Sequence, residues 1–259
     1  MEMVKVRGAQ IAYEKRGSSG PTLLFVHPPG LGRKTFLRQL PLQSVAQLYL
    51  IDLSGHGDSE TINCYPLLDL FVEQLHAIIQ AEQLNEVVLF GYSAGGCVVQ
   101  KFVLTYPHLV KGIILSGGYP IVRTKMFRLE HQIGMYMVRH HPHALTSLLA
   151  KSHFKDRWLE EQLRQQIEAA DRKTWENFYK EALHFNCVSE LSSITCPLML
   201  LYGKNATWIN KHASYYHVCP QKEIYYIKGA NHQLPTRWAK VVNQLTSEFI
   251  TRIYDKYIM

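Results

Sequence analysis

The chain has 259 residues, of which 47% are hydrophobic and 19% are charged, values typical of one globular α/β domain that carries an insertion. The net charge of +7 arises from Lys and Arg residues spread along the chain, so nucleic-acid binding is not expected. Five cysteines without C-x-x-C spacing suggest neither a disulfide framework nor a zinc site. Residues 1–7 lack the apolar stretch of a signal peptide or membrane span, which predicts a cytoplasmic protein without membrane insertion.

The order of predicted elements indicates the fold class. Alternating segments at 4–7 and 10–15, separated by Gly8, predict an antiparallel hairpin. Short apolar runs predict six strands buried on both faces, at 23–26, 48–51, 87–90, 112–115, 198–202 and 224–227. Helical patterns lie between or after them, at 67–84, 95–106 and 235–254. The alternation predicts an α/β fold with a mostly parallel, doubly wound sheet.

The alternation stops between residues 119 and 194. This stretch contains amphipathic helical patterns, for example at 158–170 and 173–185, and no convincing strand. We therefore expect a helical cap at 119–194, inserted into a core formed by 1–118 and 195–259. Open α/β sheets bind ligands beyond the carboxyl ends of their strands, so some cap side chains are expected to line a pocket there.

A G-x-S-x-G pentapeptide, Gly91-Tyr92-Ser93-Ala94-Gly95, joins a predicted strand to a predicted helix. In that context the chain turns sharply, and the serine hydroxyl stands exposed at the helix N-terminus as a nucleophile. The glycines on either side are expected because neighbouring chains press against those positions. Ser93 is therefore the candidate nucleophile.

A second motif, at 52–59, reads Asp-Leu-Ser-Gly-His-Gly-Asp-Ser. Together with the pentapeptide and the element order, it makes nearly the whole chain resemble the α/β-hydrolases of the capped branch, which includes esterases, lactonases and carbon–carbon bond hydrolases. The resemblance implies a serine hydrolase fold and activity. It also implies that His56 and Asp58 organise the 52–59 loop and are not catalysts.

The resemblance places the general base in the loop after the last strand, where this chain has His232. The family's acid follows the preceding strand in a G-x-x-D pattern, and Ala206 occupies that position here. Some relatives carry the acid after the strand before the cap, but residues 116–121 contain none. Without a carboxylate to orient the imidazole and stabilise its protonated form, turnover is expected to be several orders of magnitude slower.

Three interpretations of Ala206 remain open. The residue could be an engineered Asp-to-Ala change in an otherwise intact hydrolase, because Ser93 and His232 are both present. It could be natural, with a Ser–His dyad or with a carboxylate recruited from Asp171 or Glu190. It could also mark a non-enzymatic protein that uses the pocket to bind or sense a small molecule.

The oxyanion hole and the pocket walls complete the expected site. The resemblance assigns one oxyanion donor to the N–H of Ala94 and a second to the loop after the first central strand. Proline has no N–H, so with Pro28 and Pro29 in this loop the second donor either shifts to Gly30 or Leu31 or is lost. Tyr119 and Trp208 are predicted pocket walls, since both lie near strand ends. The expected substrate is a small apolar ester or lactone, and no metal or organic cofactor is implied.

Overall fold

The computed structural model describes residues 1–255 of the chain, so the final residues of the predicted core, 256–259, lie outside the described residues. Within that range, one sheet contains eight strands in the order β1-β2-β4-β3-β5-β6-β7-β8. The strands are β1 Glu2–Val6, β2 Ala9–Arg16, β3 Thr22–Val26, β4 Gln47–Ile51, β5 Val87–Tyr92, β6 Val110–Ser116, β7 Leu198–Gly203 and β8 Lys222–Ile227. Pairs β1–β2 and β2–β4 are antiparallel and all others are parallel. The predicted hairpin and mostly parallel sheet are confirmed.

The central strands are buried because helices cover both faces of the sheet. Every residue of β3 and β5 is buried, which explains why these strands appear in the sequence as continuous apolar runs. One face packs against α1 (Leu67–Ala81) and α2 (Gly95–Thr105), and the other against α9 (Ala239–Asp255). The carboxyl ends of the parallel strands therefore meet at one edge, where the loops that carry chemistry converge.

The remaining helices are α3 Lys125–His140, α4 Pro142–His153, α5 Arg157–Glu168, α6 Arg172–His184, α7 Thr207–Asn210 and α8 Leu234–Arg237. The prediction of one continuous helix over 235–254 was wrong, because the backbone leaves the helical region at Trp238 and separates α8 from α9. A 3-10 segment, Arg33–Ser44, was not predicted; Pro41 within it breaks regular periodicity. Three shorter 3-10 segments lie at Pro107–Leu109, Val188–Ser193 and Lys211–Val218.

Helices α3 to α6 follow one another between β6 and β7, in the region predicted as a cap. Polar side chains fasten this insertion to the core. The buried Gln166 of α5 donates its amide to both carboxylate oxygens of Asp52, at 3.0 and 3.2 Å, and accepts from the backbone N–H of Lys34 at 2.6 Å. In addition, the N–H of Asp171 donates to the carbonyl of Gly55 at 2.8 Å.

The loop at 52–59 has a structural role, as the resemblance implied. The carboxylate of Asp52 accepts the backbone N–H groups of Arg33 and Asp58, at 2.7 and 3.0 Å, and it also pairs with the Arg33 guanidinium. The carboxylate of Asp58 pairs with the same guanidinium at 2.7 Å. His56 is buried, and its Nδ1 donates to the carbonyl of Ser54 at 3.1 Å. These residues hold the loop together rather than facing a cavity.

Glu181 of α6 caps a core helix from the insertion. Its two carboxylate oxygens accept the N–H groups of Leu67 and Leu68, at 2.5 and 2.9 Å, at the start of α1. The first amides of a helix have no intrahelical acceptor and favour a nearby negative charge. Glu181 therefore stabilises α1 and the contact between α1 and α6 together.

We predict that Glu181→Ala lowers the free energy of unfolding by about 1–2 kcal/mol, since it leaves two helix-terminal amides without acceptors. Urea denaturation followed by circular dichroism measures the change. Glu248→Ala, which removes an exposed glutamate of α9 that accepts a hydrogen bond from Gln244, is the matched control and should change stability by less than about 0.5 kcal/mol. Equal stability of the two variants would contradict the capping role.

Candidate active site

The turn between β5 and α2 exposes the hydroxyl of Ser93. The backbone of Ser93 is left-handed, with φ of 52°, and its N–H donates to the carbonyl of Ser116 at 2.8 Å. A Cβ at Gly91 would lie 2.7 Å from Gly96, and one at Gly95 would lie 2.3 Å from a β3 carbonyl. The predicted need for glycine on both sides of the turn is confirmed. Strained backbone of this kind is common at functional sites.

His232 contacts the Ser93 hydroxyl. It lies in the loop after β8, and its Nε2 is 2.9 Å from the Ser93 Oγ. The imidazole is held between two aromatic rings, with centroid distances of 5.4 Å to Tyr92 and 5.1 Å to Trp208. The two residues are 139 positions apart in the chain and meet within hydrogen-bonding distance, which is the geometry that a serine nucleophile and its base require.

The opposite nitrogen of this imidazole has no acceptor. The buried Nδ1 of His232 makes no hydrogen bond within residues 1–255, and it faces Gly117, where a Cβ would lie only 2.7 Å away. Ala206 is buried in the loop after β7, which runs beside the loop of His232: the N–H of the adjacent Asn205 donates to the carbonyl of Ala230 at 2.9 Å. No acidic residue therefore occupies position 206 or residues 116–121, the two places where relatives carry the acid.

The two carboxylates considered as replacements lie away from His232. Asp171 caps α6, where its carboxylate accepts the N–H of Thr174 at 2.8 Å and the hydroxyl of the same residue at 2.6 Å. Glu190 lies on an exposed groove beside α1 and α6. Neither influences the ionisation of His232, since burial, followed by the neighbouring imidazoles of His153 and His131, lowers the pKa of His232 to about 3.

A cavity of about 120 Å³ opens beside the Ser93 hydroxyl. The insertion and the core contribute to its lining, which consists of Pro28, Pro29, Leu31, Tyr92, Ser93, Ala94, Phe127, Glu130, His131, Leu149, His153, Tyr179, His232 and Gln233. The predicted site residues Ser93, Ala94 and His232 belong to this set. Most of the lining is apolar or aromatic, as expected for a pocket that accepts an apolar group.

The structure places the predicted pocket walls behind the cavity surface. Tyr119 is fully buried, and its hydroxyl contacts the Nε2 of His131 at 3.0 Å. Trp208 packs against His232 and against Phe127, with a centroid distance of 5.0 Å to the latter. Both side chains support residues that line the cavity and do not line it themselves.

The loop with two prolines offers few oxyanion donors. Pro29 lines the cavity without an N–H, and the N–H of Leu31 donates to the Pro28 carbonyl at 3.3 Å. Gly30 is not part of the cavity lining; it packs against the indole of Trp175, where a Cβ would lie 2.2 Å from the ring. Ala94 is at the N-terminus of α2, where backbone amides lack intrahelical acceptors, so its N–H is the better placed donor.

Two further histidines line the cavity in a neutral form. The Nδ1 of His131 donates to the Phe127 carbonyl at 2.9 Å, so its Nε2 accepts from the Tyr119 hydroxyl. His153 is arranged in the same way: its Nδ1 lies 2.8 Å from the Leu149 carbonyl and its Nε2 lies 3.1 Å from the Tyr92 hydroxyl. Burial lowers the pKa of each to about 4.

Glu130 is a residue of the site that the sequence analysis missed. It is the only carboxylate in the cavity lining within residues 1–255, and it lies on α3 at the exposed rim. Partial burial of this carboxyl against the cavity raises its pKa to about 7. The sequence offers only the position of Glu130 beside His131 in a helix, and the direction of that helix depends on tertiary packing.

The described residues contain no group of three His, Cys, Asp or Glu side chains that could hold a metal ion. The five cysteines are free thiols. In the part of the chain that the structure describes, no helix has the length and apolar content needed to cross a bilayer.

A protein-family model described as serine aminopeptidase, S33, matches residues 37–236, which is most of the chain. The chain belongs to this hydrolase family. The matched region includes the Ser93 turn, the inserted helices and His232, and the resemblance to α/β-hydrolases inferred from the sequence motifs is confirmed.

Two solved hydrolases share the fold along nearly the whole chain. The esterase EaEST from Exiguobacterium antarcticum superposes with a TM-score of 0.87 at 16% identity, over 96% of this chain and 98% of that one. The enol-lactonase from Burkholderia xenovorans LB400 gives a TM-score of 0.79 at 14% identity, over 96% and 100%. These likenesses confirm the predicted fold class.

Among curated proteins, the pyrrolizixenacetamide deacetylase of Xenorhabdus hominickii is 27% identical over 164 residues, which make up 62% of this chain and 61% of the deacetylase. The first three curated relatives are matched over 36%, 61% and 41% of their own lengths, so the chain spans between about a third and three fifths of them.

We predict that thermal stability falls as the pH decreases from 6.5 to 4.5. His27, His56, His131 and His153 are buried and their pKa values are lowered by burial, so the unfolded chain binds more protons than the native protein below pH 6.5. The raised pKa values of Glu130 and Asp52 favour the folded state as the pH falls, but only these two carboxyls oppose the four histidines. Each net proton corresponds to about 1.4 kcal/mol per pH unit.

Melting temperatures measured by differential scanning calorimetry across this range provide the test. His153→Gln should flatten the decline, because it removes one of the groups that must charge on unfolding. His184→Gln, at an exposed position of α6, is the control and should leave the decline unchanged. A melting temperature that is constant or rises on acidification would show that the buried imidazoles do not dominate.

Proposed function

We propose that this protein is a serine hydrolase that cleaves a small apolar ester or lactone through an acyl-enzyme, with Ser93 as nucleophile and His232 as base. We further propose that residues 119–194 act as the cap over the site. The observation that carries the proposal is the 2.9 Å contact between His232 Nε2 and Ser93 Oγ at a strained strand-to-helix turn. The esterase and lactonase folds and the deacetylase relative support this reaction class.

In the proposed first step, the Oγ of Ser93 attacks the substrate carbonyl carbon while the Nε2 of His232 takes the hydroxyl proton. The N–H of Ala94 donates to the developing oxyanion. Collapse of the intermediate breaks the bond to the leaving oxygen, which receives the proton from His232. Water, deprotonated by His232, then attacks the acyl carbon, and the proton returns to the Oγ of Ser93 as the acid is released.

The unpaired Nδ1 of His232 predicts that this turnover is slow. For Nε2 to accept a proton, Nδ1 must carry the hydrogen of the neutral ring, and here that N–H would be buried without an acceptor. The opposite tautomer, in which Nε2–H donates to Ser93, avoids this penalty but cannot act as a base. Within residues 1–255, the protonated imidazole formed during attack also has no hydrogen bond to a carboxylate.

The same observation favours a second candidate function, a ligand-binding protein with little turnover. A site whose histidines are held neutral and whose base has no acid is suited to retaining a carbonyl ligand in the cavity. The two candidates differ in stoichiometry. A binding protein captures one ligand per chain and stops, whereas a hydrolase releases product repeatedly.

We predict that Ala206→Asp raises kcat for p-nitrophenyl esters by at least about 100-fold, because the carboxylate would accept the Nδ1–H and stabilise the imidazolium. Ala206→Asn is the matched control: it offers an acceptor of similar size without the charge, so it should give a much smaller increase. Release of p-nitrophenol under steady-state conditions is the measurement, with Ser93→Ala as the blank.

If Ala206→Asp is no faster than the unchanged chain while its melting temperature is preserved, position 206 is not the place of a missing acid. Product release that persists in Ser93→Ala would exclude the serine mechanism altogether. Ligand capture limited to one equivalent in every variant would favour the binding protein.

We predict a preference for short acyl groups. The cavity of about 120 Å³ is smaller than the roughly 300–1,000 Å³ of common ligand pockets, so an acetyl or butyryl ester should have a higher kcat/KM than an octanoyl ester. Leu149→Ala removes a wall of the cavity and should shift the octanoyl-to-acetyl ratio of kcat/KM upward by about tenfold. The matched control is Leu148→Ala, at the adjacent exposed position.

A ratio that shifts equally in both variants, or in neither, would mean that Leu149 does not border the acyl group. The ratio of two substrates within one variant is informative even at low activity, because changes in enzyme concentration or folding cancel.

A further inference from the structure

Helix α3 exposes a continuous apolar face to solvent. Its buried side consists of Phe127, His131, Gly134 and Val138, spaced as one side of a helix. At 100° per residue the opposite side carries Met126, Leu129, Ile133 and Tyr136, which we call the α3 stripe. Each residue of the stripe is between 52% and 57% exposed. A helix that packs one apolar side and exposes another has a second surface to cover.

Basic side chains border one edge of this stripe. Lys125 and Arg128 lie on the same helix, at angles between the stripe and the buried side, and Arg123 lies two residues before the helix begins. No ion pair joins Lys125 or Arg128 to a carboxylate within residues 1–255. Their charge is therefore uncompensated, on a chain whose net charge is already +7.

We propose that the α3 stripe docks this protein onto an anionic lipid surface, with α3 lying in the plane of the interface. Helices that bind membranes in this way bury an apolar face among the lipid headgroups and use flanking Lys and Arg residues to contact anionic lipids. This docking needs no membrane-spanning segment. It therefore does not require a long apolar helix.

The charge pattern favours a lipid surface over a second copy of this chain. A two-fold dimer through the stripe would place the same surface patch on both sides of the contact. The cations at the edge of each stripe would then approach their equivalents, on two chains that each carry +7. An anionic lipid surface instead covers the apolar side chains and neutralises Lys125 and Arg128.

The stripe belongs to the same helix as three residues of the cavity lining. Phe127, Glu130 and His131 of α3 line the cavity, and Met126 and Leu129 are their immediate neighbours in the chain. Another highly exposed residue, Leu148 of α4, adjoins the cavity-lining Leu149. Docking would thus place a helix that lines the cavity on the lipid surface. That an ester dissolved in the lipid reaches the cavity rests on the proposed function, whereas the docking itself does not.

Co-flotation with vesicles tests the proposal on the full chain. Phosphatidylcholine vesicles with and without phosphatidylglycerol are the probes, and we expect binding only to those that contain the anionic lipid. The double substitution Leu129→Gln with Ile133→Gln should weaken that binding by at least about tenfold, because two apolar side chains no longer enter the interface. Lys125→Glu with Arg128→Glu should weaken it by at least about 25-fold in total, about fivefold for each basic residue lost.

Tyr226→Gln is the matched control, since Tyr226 is 50% exposed on the edge strand β8 and is not part of α3. Binding that is the same in this control and in the Leu129/Ile133 variant would overturn the proposal, as would equal binding to neutral vesicles. A dimer that light scattering detects, and that only the Leu129/Ile133 variant loses, would assign the stripe to self-association.

Hydrolysis of soluble short-chain esters is measured on the same variants. It should not change, because none of these side chains lines the cavity. Vesicle binding without hydrolysis would support the docking surface and count against the proposed reaction. Hydrolysis without vesicle binding would support the proposed reaction and overturn the docking surface.

Discussion

The left-handed backbone at Ser93 is the constraint on which the rest of the site depends. Because the chain turns there within one residue, β5 and α2 pack closely, and only glycine fits at positions 91 and 95. The N–H of Ser93 is held by the carbonyl of Ser116 on the neighbouring strand, so the turn is fixed to the sheet as well as to the helix. The hydroxyl therefore occupies a defined point, which His232 reaches from the other side of β6.

The histidines around the Ser93 hydroxyl are uncharged. Hydrogen bonds to a backbone carbonyl and a tyrosine hydroxyl hold His131 and His153 each in one neutral tautomer, and burial keeps His232 neutral. In a complete triad a carboxylate would offset the cost of charging the base. Here that cost is not offset, which connects the missing acid directly to the expected slow turnover and to the alternative of a binding protein.

The sequence was sufficient for the fold because buried parallel strands are continuous apolar runs and because glycine and proline mark the turns. It also placed Ser93 and His232 at the two loops that meet, although their catalytic roles remain proposals. It could not place Glu130 or His131 in the cavity, since both depend on how α3 rotates against α6. Tyr119 and Trp208 were predicted to line the pocket, but they lie behind the residues that line it. Nearness to a strand end does not fix the direction of a side chain.

The attachments of the insertion limit how this protein can be redesigned. Gln166 and Glu181 are both side chains of the insertion, yet their partners are a loop carboxylate and the first amides of α1 in the core. A mutant library that randomises α5 or α6 would therefore disturb the core along with the pocket. Substitutions at cavity-facing positions of α3 and α4 leave the hydrogen bonds of Gln166 and Glu181 intact. Those two helices are therefore the appropriate targets for changing selectivity.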